Sequence, residues 1–307
     1  MTDNGYHIYI NEDSGTARKL GRKAIEDAIS KSGIDLTRLY ILNAEGIIKA
    51  IDTLETNDRV LIGGGDGTIR SCAENLYKKN IAFGILPFGT MNLLAQDIGL
   101  PNDFKEALDL YAQKDTTIHP VDIGIINGKL FLCCVGLGVM PAASKLREQN
   151  RKTTNSSVLA YAQLATHIFE DFTKDIKFKL KIDNHKRTLK SPSVVISNNI
   201  YHPKDKSNHN VNFIRTGLQD GKLGFYSIKP RNFFEKIDLI KLLKIGNWKK
   251  ARSIQMDKAE HITVNLKNNK VLVSIDGEIL NMRPPLTLSV EPKALNLIVP
   301  AHEKEQA

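Results

Sequence analysis

Cysteine is scarce: the 307 residues hold three, two of them adjacent at Cys133 and Cys134. That is too few for a disulfide framework or a four-cysteine zinc site, and it suits a reducing compartment in which a buried thiol is a small hydrophobe. Long apolar runs are also missing. The longest, Leu130 to Ala143, contains Gly136, Gly138 and Pro141, and it falls short of the ~18 residues of a spanning helix. The opening stretch Met1 to Gly5 lacks the basic region of a secretory signal. The expectation is a soluble, cytoplasmic protein. Several chemical signatures are absent as well. Gly128-Lys129 and Gly221-Lys222 are each followed by Leu, so there is no Walker-type phosphate loop. There is no G-x-G-x-x-G after the first strand, no H-E-x-x-H and no G-x-S-x-G. The eight histidines show no metal-ligand spacing.

What is present is an ordinary globular composition, 41% hydrophobic and 25% charged, at a length that suggests two domains. The net charge of +9 is uneven. Residues 1–120 carry 13 Lys+Arg against 17 Asp+Glu, a balance of −4, and residues 121–307 carry 30 against 17, a balance of +13. A basic half beside an acidic half suggests a polyanion partner for one half: nucleic acid, a membrane surface or a phosphorylated ligand. Solvated lysine faces would give the same balance. The basic half has no interleaved aromatic platform or reader motif, which argues against nucleic acid. The segment Asn232 to Arg252 mixes Phe233, Phe234, Ile237, Ile240, Leu243 and Trp248 with Lys236, Lys241, Lys244, Lys249, Lys250 and Arg252. Such a segment can lie in a membrane interface or pack its apolar side on its own domain.

Hydrophobic periodicity divides the chain. Strands are expected at Tyr6–Ile10, Leu39–Leu42, Val60–Ile62 and Ala82–Leu86, alternating with helices at Ser14–Ser32, Ile47–Leu54, Ile69–Lys78 and Met91–Ile98. Alternation of this kind implies right-handed crossovers and a parallel sheet. Beyond it, Lys177–Ile182, Ser193–Ser197, Gly224–Ile228, Ile262–Leu266, Val271–Ile275 and Leu286–Val290 read as short strands of a mainly antiparallel β domain. Helices are expected near Ser156–Phe172 and Asn232–Ile245, and a last strand, Ala294–Pro300, after a Pro-containing link. The fold class is therefore α/β plus β. An N-terminal domain, 1–122 with about 293–303, is followed by a β-rich domain, 123–292, and the chain end returns to the first.

Two glycine turns stand out. Gly63-Gly64-Gly65-Asp66-Gly67-Thr68 follows a strand and opens a helix, where glycines admit φ > 0 and first-turn N–H groups suit a phosphate. Asp66 would repel phosphate unless it holds Mg²⁺, orients a donor or takes a proton. Pro87-Phe88-Gly89-Thr90-Met91-Asn92 repeats the pattern after the next strand, with Thr90 able to bond a phosphate oxygen and Asn92 to cap or donate. Open α/β sheets place such turns side by side at the carboxyl edge. In the second half, Asp276-Gly277-Glu278 is either a hairpin turn or a pair of carboxylates with one general base, and Asp220-Gly221-Lys222-Leu223 reads as a turn.

Taken in order, these motifs resemble the diacylglycerol kinase catalytic-domain family, which includes sphingosine and ceramide kinases. Asn11-Glu12-Asp13-Ser14-Gly15 is similar to its N-P-x-S-G loop, Gly64 to Thr68 to its G-G-D-G-T, and Gly84-Ile85-Leu86-Pro87 with Gly89 to Asn92 to its G-I-L-P-x-G-T-x-N. Val121-Asp122-Ile123-Gly124 with Asn127-Gly128 and Phe131, then Asp220 to Leu223, then Asp276 to Glu278 resemble V-D-x-G…N-G…F, D-G-x-L and D-G-E. The first loop lacks its Pro, Arg70-Ser71 replaces Asn-Glu, and Leu93 stands where an Asp often does. Three cysteines cannot build the zinc-binding C1 modules of many eukaryotic members, so the likeness is to the short bacterial type.

The resemblance implies an ATP-dependent lipid kinase with Mg²⁺, diacylglycerol to phosphatidic acid being the leading reaction. It places ATP in an interdomain cleft among Asn11, Ser14, Gly15, Gly64, Gly65, Gly67, Thr68, Gly89, Thr90 and Asn92. It makes Glu278 the base and gives Asp66 a catalytic role at the Mg–phosphate region. Asp220 matches the position of a structural Mg²⁺. The partner is a lipid at a membrane surface, with anionic phospholipid a candidate and peripheral association expected; a homodimer is left open. Two alternatives stand: an NAD kinase-like enzyme, which shares G-G-D-G-T, and a catalytically impaired lipid-binding or regulatory protein of the same fold.

Overall fold

A computed structural model describes residues 5–113, 115–141, 175–202, 215, 217–244 and 247–301. The chain forms two compact units, Met1–Val121 with Lys293–Ala307, and Asp122–Pro292. In the first, β1 (Tyr6–Asn11), β2 (Leu36–Leu42), β3 (Arg59–Gly64) and β4 (Phe83–Pro87) pair in parallel in the order β2-β1-β3-β4. Leu297, near the end of the last strand β16 (Leu286–Pro300), joins in parallel beside Phe83. The inner strands β1, β3 and β4 are almost wholly buried, as expected of a parallel sheet covered on both faces.

Helices α1 (Gly15–Leu20), α2 (Arg22–Ser32), α3 (Ala44–Ile51), α4 (Asp66–Lys78), α5 (Leu93–Asp97) and α6 (Phe104–Gln113) fill the crossovers. Four differ from expectation for local reasons. The helix expected at Ile47–Leu54 is Ala44–Ile51, because Asn43 caps it by accepting from Gly46 N–H (2.8 Å). The single helix over Ser14–Ser32 is two, because Gly21 adopts φ 78° and ψ 157°, which no helix can hold. The helix after the first glycine turn begins at Asp66 rather than Ile69, so the turn itself supplies the first helical residues. The helix expected at Met91 begins at Leu93, since Asn92 is left-handed at φ 48°. Helix α6 was not foreseen, although Asp103 marks its start by accepting from the N–H groups of Lys105 (2.8 Å) and Glu106 (3.2 Å).

The second unit contains an antiparallel six-stranded sheet, β12-β11-β10-β7-β14-β15, formed by Ile254–Ala259, Leu223–Ile228, Ser193–Asn198, Cys134–Gly138, Val271–Ile275 and Glu278–Met282. Strands β8 (Ile176–Ile182), β9 (His185–Ser191), β13 (His261–Asn265) and the start of β16 pair antiparallel in a second sheet, and the hairpin of β5 (Thr116–Ile126) and β6 (Lys129–Phe131) joins them. Val135, Leu137, Ile196, Phe225 and Ile275 from the first sheet meet Phe178, Leu180, Ile262, Val264 and Leu286 from the second in one core. The unit is a β sandwich. On the outer side of β10 and β11, Val195 and Tyr226 pack with Tyr201 and Trp248.

The strands expected at Leu286–Val290 and Ala294–Pro300 are one strand, with no link between them. Pro292 and Lys293 (φ 53°) lie within it as an irregularity, where a residue without an N–H is tolerated. Strands β5, β6, β7, β9, β12 and β15 were not foreseen; of these, β9 and β12 are polar and largely exposed, without the alternation that marks a strand. The helix expected at Ser156–Phe172 lies outside the described residues. Among the described residues no helix is long and apolar enough to cross a membrane.

The returning end of β16 is fastened by Tyr111, whose buried hydroxyl donates to the carbonyl of Ile298 (3.1 Å) and accepts from Ile85 N–H (3.0 Å). Burial raises its pKa above the ordinary phenol value, so it stays a donor at any working pH. Tyr111→Phe strips one partner from each backbone group and is expected to lower unfolding free energy by about 1–3 kcal/mol. Denaturant unfolding checks this; a variant as stable as the parent would show the hydroxyl to be dispensable.

Candidate active site

In the first unit three loops leave the carboxyl ends of β1, β3 and β4 and are tied to one another. Asn11, buried at the end of β1, donates from Nδ2 to Thr68 Oγ1 (2.8 Å) and accepts from Asp13 N–H (3.0 Å). Ser14 caps α1 by accepting from Ala17 N–H (3.4 Å), and Thr16 N–H reaches the carbonyl of Phe88 (3.3 Å) in the second glycine turn. Asp66 accepts through Oδ1 from Leu93 N–H (2.7 Å), which fixes the start of α5 to the start of α4. Asn92 does not cap its helix; it accepts from Gly89 N–H (2.8 Å) and donates to the Gly89 carbonyl (3.1 Å), closing the second turn on itself.

Glycine is required where these loops meet. A Cβ on Gly89 would stand 2.6 Å from the Cα of Gly65, and one on Gly64 would stand 2.5 Å from Thr68 Cβ. Gly67 faces open space and is exposed, as is Thr90. The N-cap of α4 is Gly65, which contributes no side-chain cap, so the positive end of a 13-residue helix is presented beside an exposed glycine. Gly15 lies at the start of α1 and is partly exposed. Of the sequence-predicted residues, Asn11, Ser14 and Asn92 therefore build the loops, while Gly65, Gly67, Thr68, Gly89 and Thr90 form their outer surface. Backbone amides at a helix N-terminus beside such glycines are a cradle for phosphate oxygens. Arg70, one of the departures from the family pattern, is buried on α4, and Ser71 bonds back to the Gly67 carbonyl (3.0 Å).

In the second unit the remaining motifs pair off. Asp122, 2% exposed, accepts through Oδ2 from Asn199 Nδ2 (2.7 Å) and from Gly221 N–H (2.7 Å), so the V-D-x-G and D-G-x-L segments are joined by one buried carboxylate. Asp220 is exposed, and its carboxylate occupies the space that a Cβ on Gly217 would need. Asn127 accepts from Thr287 N–H (2.7 Å) and donates to the Pro285 carbonyl (3.2 Å). Asp276 and Gly277 both have positive φ, 47° and 89°, and close a two-residue hairpin between Ile275 and Glu278. The Asp276 carboxylate receives three backbone N–H groups, from Leu132 (2.7 Å), Cys133 (2.8 Å) and Cys134 (2.8 Å). Glu278, two residues on, is exposed. Of the two readings of this turn, Asp276 is structural and Glu278 is the carboxylate presented to solvent. Among the described residues no three His, Cys, Asp or Glu side chains converge on a common point.

Comparison with known proteins finds matches along both parts of the chain. A model of the diacylglycerol kinase catalytic domain matches residues 6–126, and a model of the YegS C-terminal NAD kinase beta sandwich-like domain matches residues 134–299. The chain belongs to the diacylglycerol kinase catalytic-domain family. Its C-terminal part is of the YegS kind. A diacylglycerol kinase of Bacillus subtilis (strain 168) is 22% identical over 255 residues, covering 81% of this chain and 80% of that protein. A Staphylococcus haemolyticus protein carrying a lipid-kinase name is 25% identical over 253 residues, covering 81% and 79%. A crystal structure of a diacylglycerol kinase from Bacillus anthracis str. Sterne superposes with a TM-score of 0.67 at 19% identity, over 96% of this chain and 97% of that one, and shows the shared fold.

Within this lipid-kinase family, the connecting residues are what sequence reasoning missed. The roles of Asp122, Asn127 and Asp276 as backbone clamps needed the loops to be seen folded. The only local signal was that Asn127 and Asp276 each lie in a tight glycine turn; Asp122 lies inside β5 and carried none. Asp276→Asn keeps one oxygen for Cys133 and Cys134 but turns an NH₂ toward Leu132 N–H. It is expected to cost about 1.5–3 kcal/mol, the range for hydrogen bonds to a charged group. Thermal or denaturant unfolding reads the loss, and unaltered stability would deny the clamp.

Proposed function

We propose that this protein is an ATP-dependent lipid kinase that transfers the γ-phosphoryl group of ATP to a lipid hydroxyl, with diacylglycerol as acceptor and phosphatidic acid as product. The observation that carries the reading is the convergence in the first unit of three loops whose outer surface is glycine, threonine and an uncapped helix N-terminus. Gly65, Gly67, Thr68, Gly89 and Thr90 bind the phosphates through backbone N–H and hydroxyl donors, buried Gly64 makes room for Thr68 beneath them, and Gly15 and the Asn11–Ser14 loop complete the nucleotide site. Asn11, Ser14 and Asn92 hold these groups still. Catalysis of this type is mainly positioning and charge stabilisation.

In the reaction proposed, the lipid hydroxyl oxygen bonds to the γ-phosphorus, the bond to the ADP oxygen breaks, and Glu278 accepts the hydroxyl proton. Mg²⁺ is bound through oxygen, commonly by one or two carboxylates with water and phosphate. Asp66, beside the phosphate loops, and exposed Asp220 fit that donor chemistry, and the ion would neutralise phosphate charge. Asp66 also sets the spacing of the two glycine turns through Leu93 N–H. A second reading is an NAD kinase-like enzyme, favoured by the character of the C-terminal domain match. The acceptor distinguishes the two.

Asp66→Asn keeps an acceptor for Leu93 N–H and removes the charge. Lipid phosphorylation is expected to fall by at least about 10²-fold, with the fold intact. Near-parental turnover would take the carboxylate out of the mechanism. Glu278→Gln is expected to lower kcat by about 10²–10⁴ with the KM for ATP nearly unchanged. An effect confined to that KM would assign Glu278 to nucleotide binding instead.

A further inference from the structure

Helix α7 (Phe233–Lys244) begins just after β11 and presents an unusual surface. Its start is capped: Asn232 accepts from Glu235 N–H (2.9 Å), and Glu235 accepts from Arg231 N–H (2.7 Å). Directly after this cap, Phe233 is 61% exposed, Phe234 79% and Ile237 46%. The two phenylalanine rings meet edge to face, 6.1 Å between centroids. Leu239 and Trp248 point the other way and are buried, the latter against Tyr226 (5.6 Å between centroids). The apolar residues of Asn232 to Arg252 are thus split. One set anchors the segment to the sandwich, and the aromatic pair at its tip remains in water. Side chains of Ile240, Leu243 and Lys244 lie outside the described residues.

The charge around the tip has one predominant sign. From Lys229 to Arg252 there are eight Lys and Arg against two acids, Glu235 and Asp238. Arg231, Lys241, Lys249, Lys250 and Arg252 are exposed. A groove of about 450 Å³ at the foot of the helix is lined by Lys229, Arg231, Phe233 and Lys236, with Asp175 paired to Lys229 (2.7 Å). Exposed aromatics beside a groove lined by Lys229, Arg231 and Lys236, in a segment with further exposed cations, match the two layers of an anionic bilayer surface, an apolar boundary under a negatively charged headgroup layer. Protein interfaces, by contrast, deplete Lys relative to the rest of the surface.

We infer that the tip of α7, Phe233-Phe234 with Ile237, inserts into the surface of an anionic phospholipid bilayer, and that the surrounding Lys and Arg residues bind its headgroups. The inference rests on the lipid-kinase reading for its purpose, since an enzyme with a membrane-resident acceptor must visit the bilayer. Its evidence is the exposed patch alone.

Vesicle co-sedimentation without ATP tests it, using phosphatidylglycerol–phosphatidylcholine mixtures against phosphatidylcholine alone. The full chain is expected to bind the anionic vesicles and not the zwitterionic ones, less tightly as salt rises above ~0.15 M. Phe233→Ser with Phe234→Ser, and separately Lys249→Glu with Lys250→Glu, are each expected to weaken binding at least about tenfold. All four residues are exposed, so both variants should melt as the parent does, and the two sets check one another. Phosphorylation of a water-soluble short-chain diacylglycerol should be unchanged in both. Unaltered vesicle binding in both variants, or no binding by the parent at any salt, would overturn the inference. So would a solution dimer that the phenylalanine variant splits while vesicle binding persists. Patch-dependent vesicle binding without any short-chain lipid phosphorylation would sink the kinase reading and support the surface.

Discussion

The contact between Gly65 and Gly89 is the constraint on which the candidate site rests. Parallel strands β3 and β4 deliver two turns to the same sheet edge, and only the absence of two side chains lets the backbones close to van der Waals range. Once closed, the arrangement is fixed by polar groups that do not project outward. Phe88 N–H bonds to the Gly64 carbonyl (3.1 Å), Asp66 holds Leu93 N–H, and Asn11 holds Thr68. The surface left exposed is therefore mostly backbone, at the positive end of a helix. Such a surface suits a polyphosphate because its donors are already oriented and need not be ordered on binding.

The β sandwich uses another means to the same end. Its two buried or partly buried clamps, Asp122 and Asp276, spend their carboxylates on backbone N–H groups from segments distant in sequence. Removing a carboxylate from water is costly unless it is so bonded, and once bonded it is costly to disturb. These aspartates therefore act as registers. One places the Asp220-Gly221 turn, and the other places the hairpin that presents Glu278. The pairs of motifs that look independent along the chain are pairs because a side chain of one satisfies the main chain of the other.

Much of this was legible in the sequence, for physical reasons that also mark its limits. The alternation of buried strands and amphipathic helices gave the α/β half, and β-branched runs between Gly, Asn and Asp gave β8, β10, β11, β13, β14 and the start of β16, but not the other strands of the sandwich. Gly64 to Thr68 and Gly89 to Asn92 were readable as neighbouring turns because adjacent parallel strands deliver such turns to one sheet edge. Boundaries failed where a single residue overrode the pattern: Gly21 split a helix, Asn92 shortened another, and Pro292 lay inside a strand that it was expected to end. Strands β9 and β12 were invisible because edge and surface strands need no apolar alternation. The clamps could not be read because their partners are backbone groups, which carry no letter. The segment at α7 was legible as basic and apolar, but which of its aromatic residues are buried was not; Trp248 is, and Phe234 is not.

The central claim is that the chain phosphorylates a lipid and not a dinucleotide. The direct measurement is transfer of label from γ-labelled ATP, offered diacylglycerol in mixed micelles and NAD in the same reaction, followed by separation of organic and aqueous products. The account predicts label in a phosphatidic acid product, dependent on Mg²⁺, with none in NADP. Label in NADP with an unlabelled lipid fraction would contradict it.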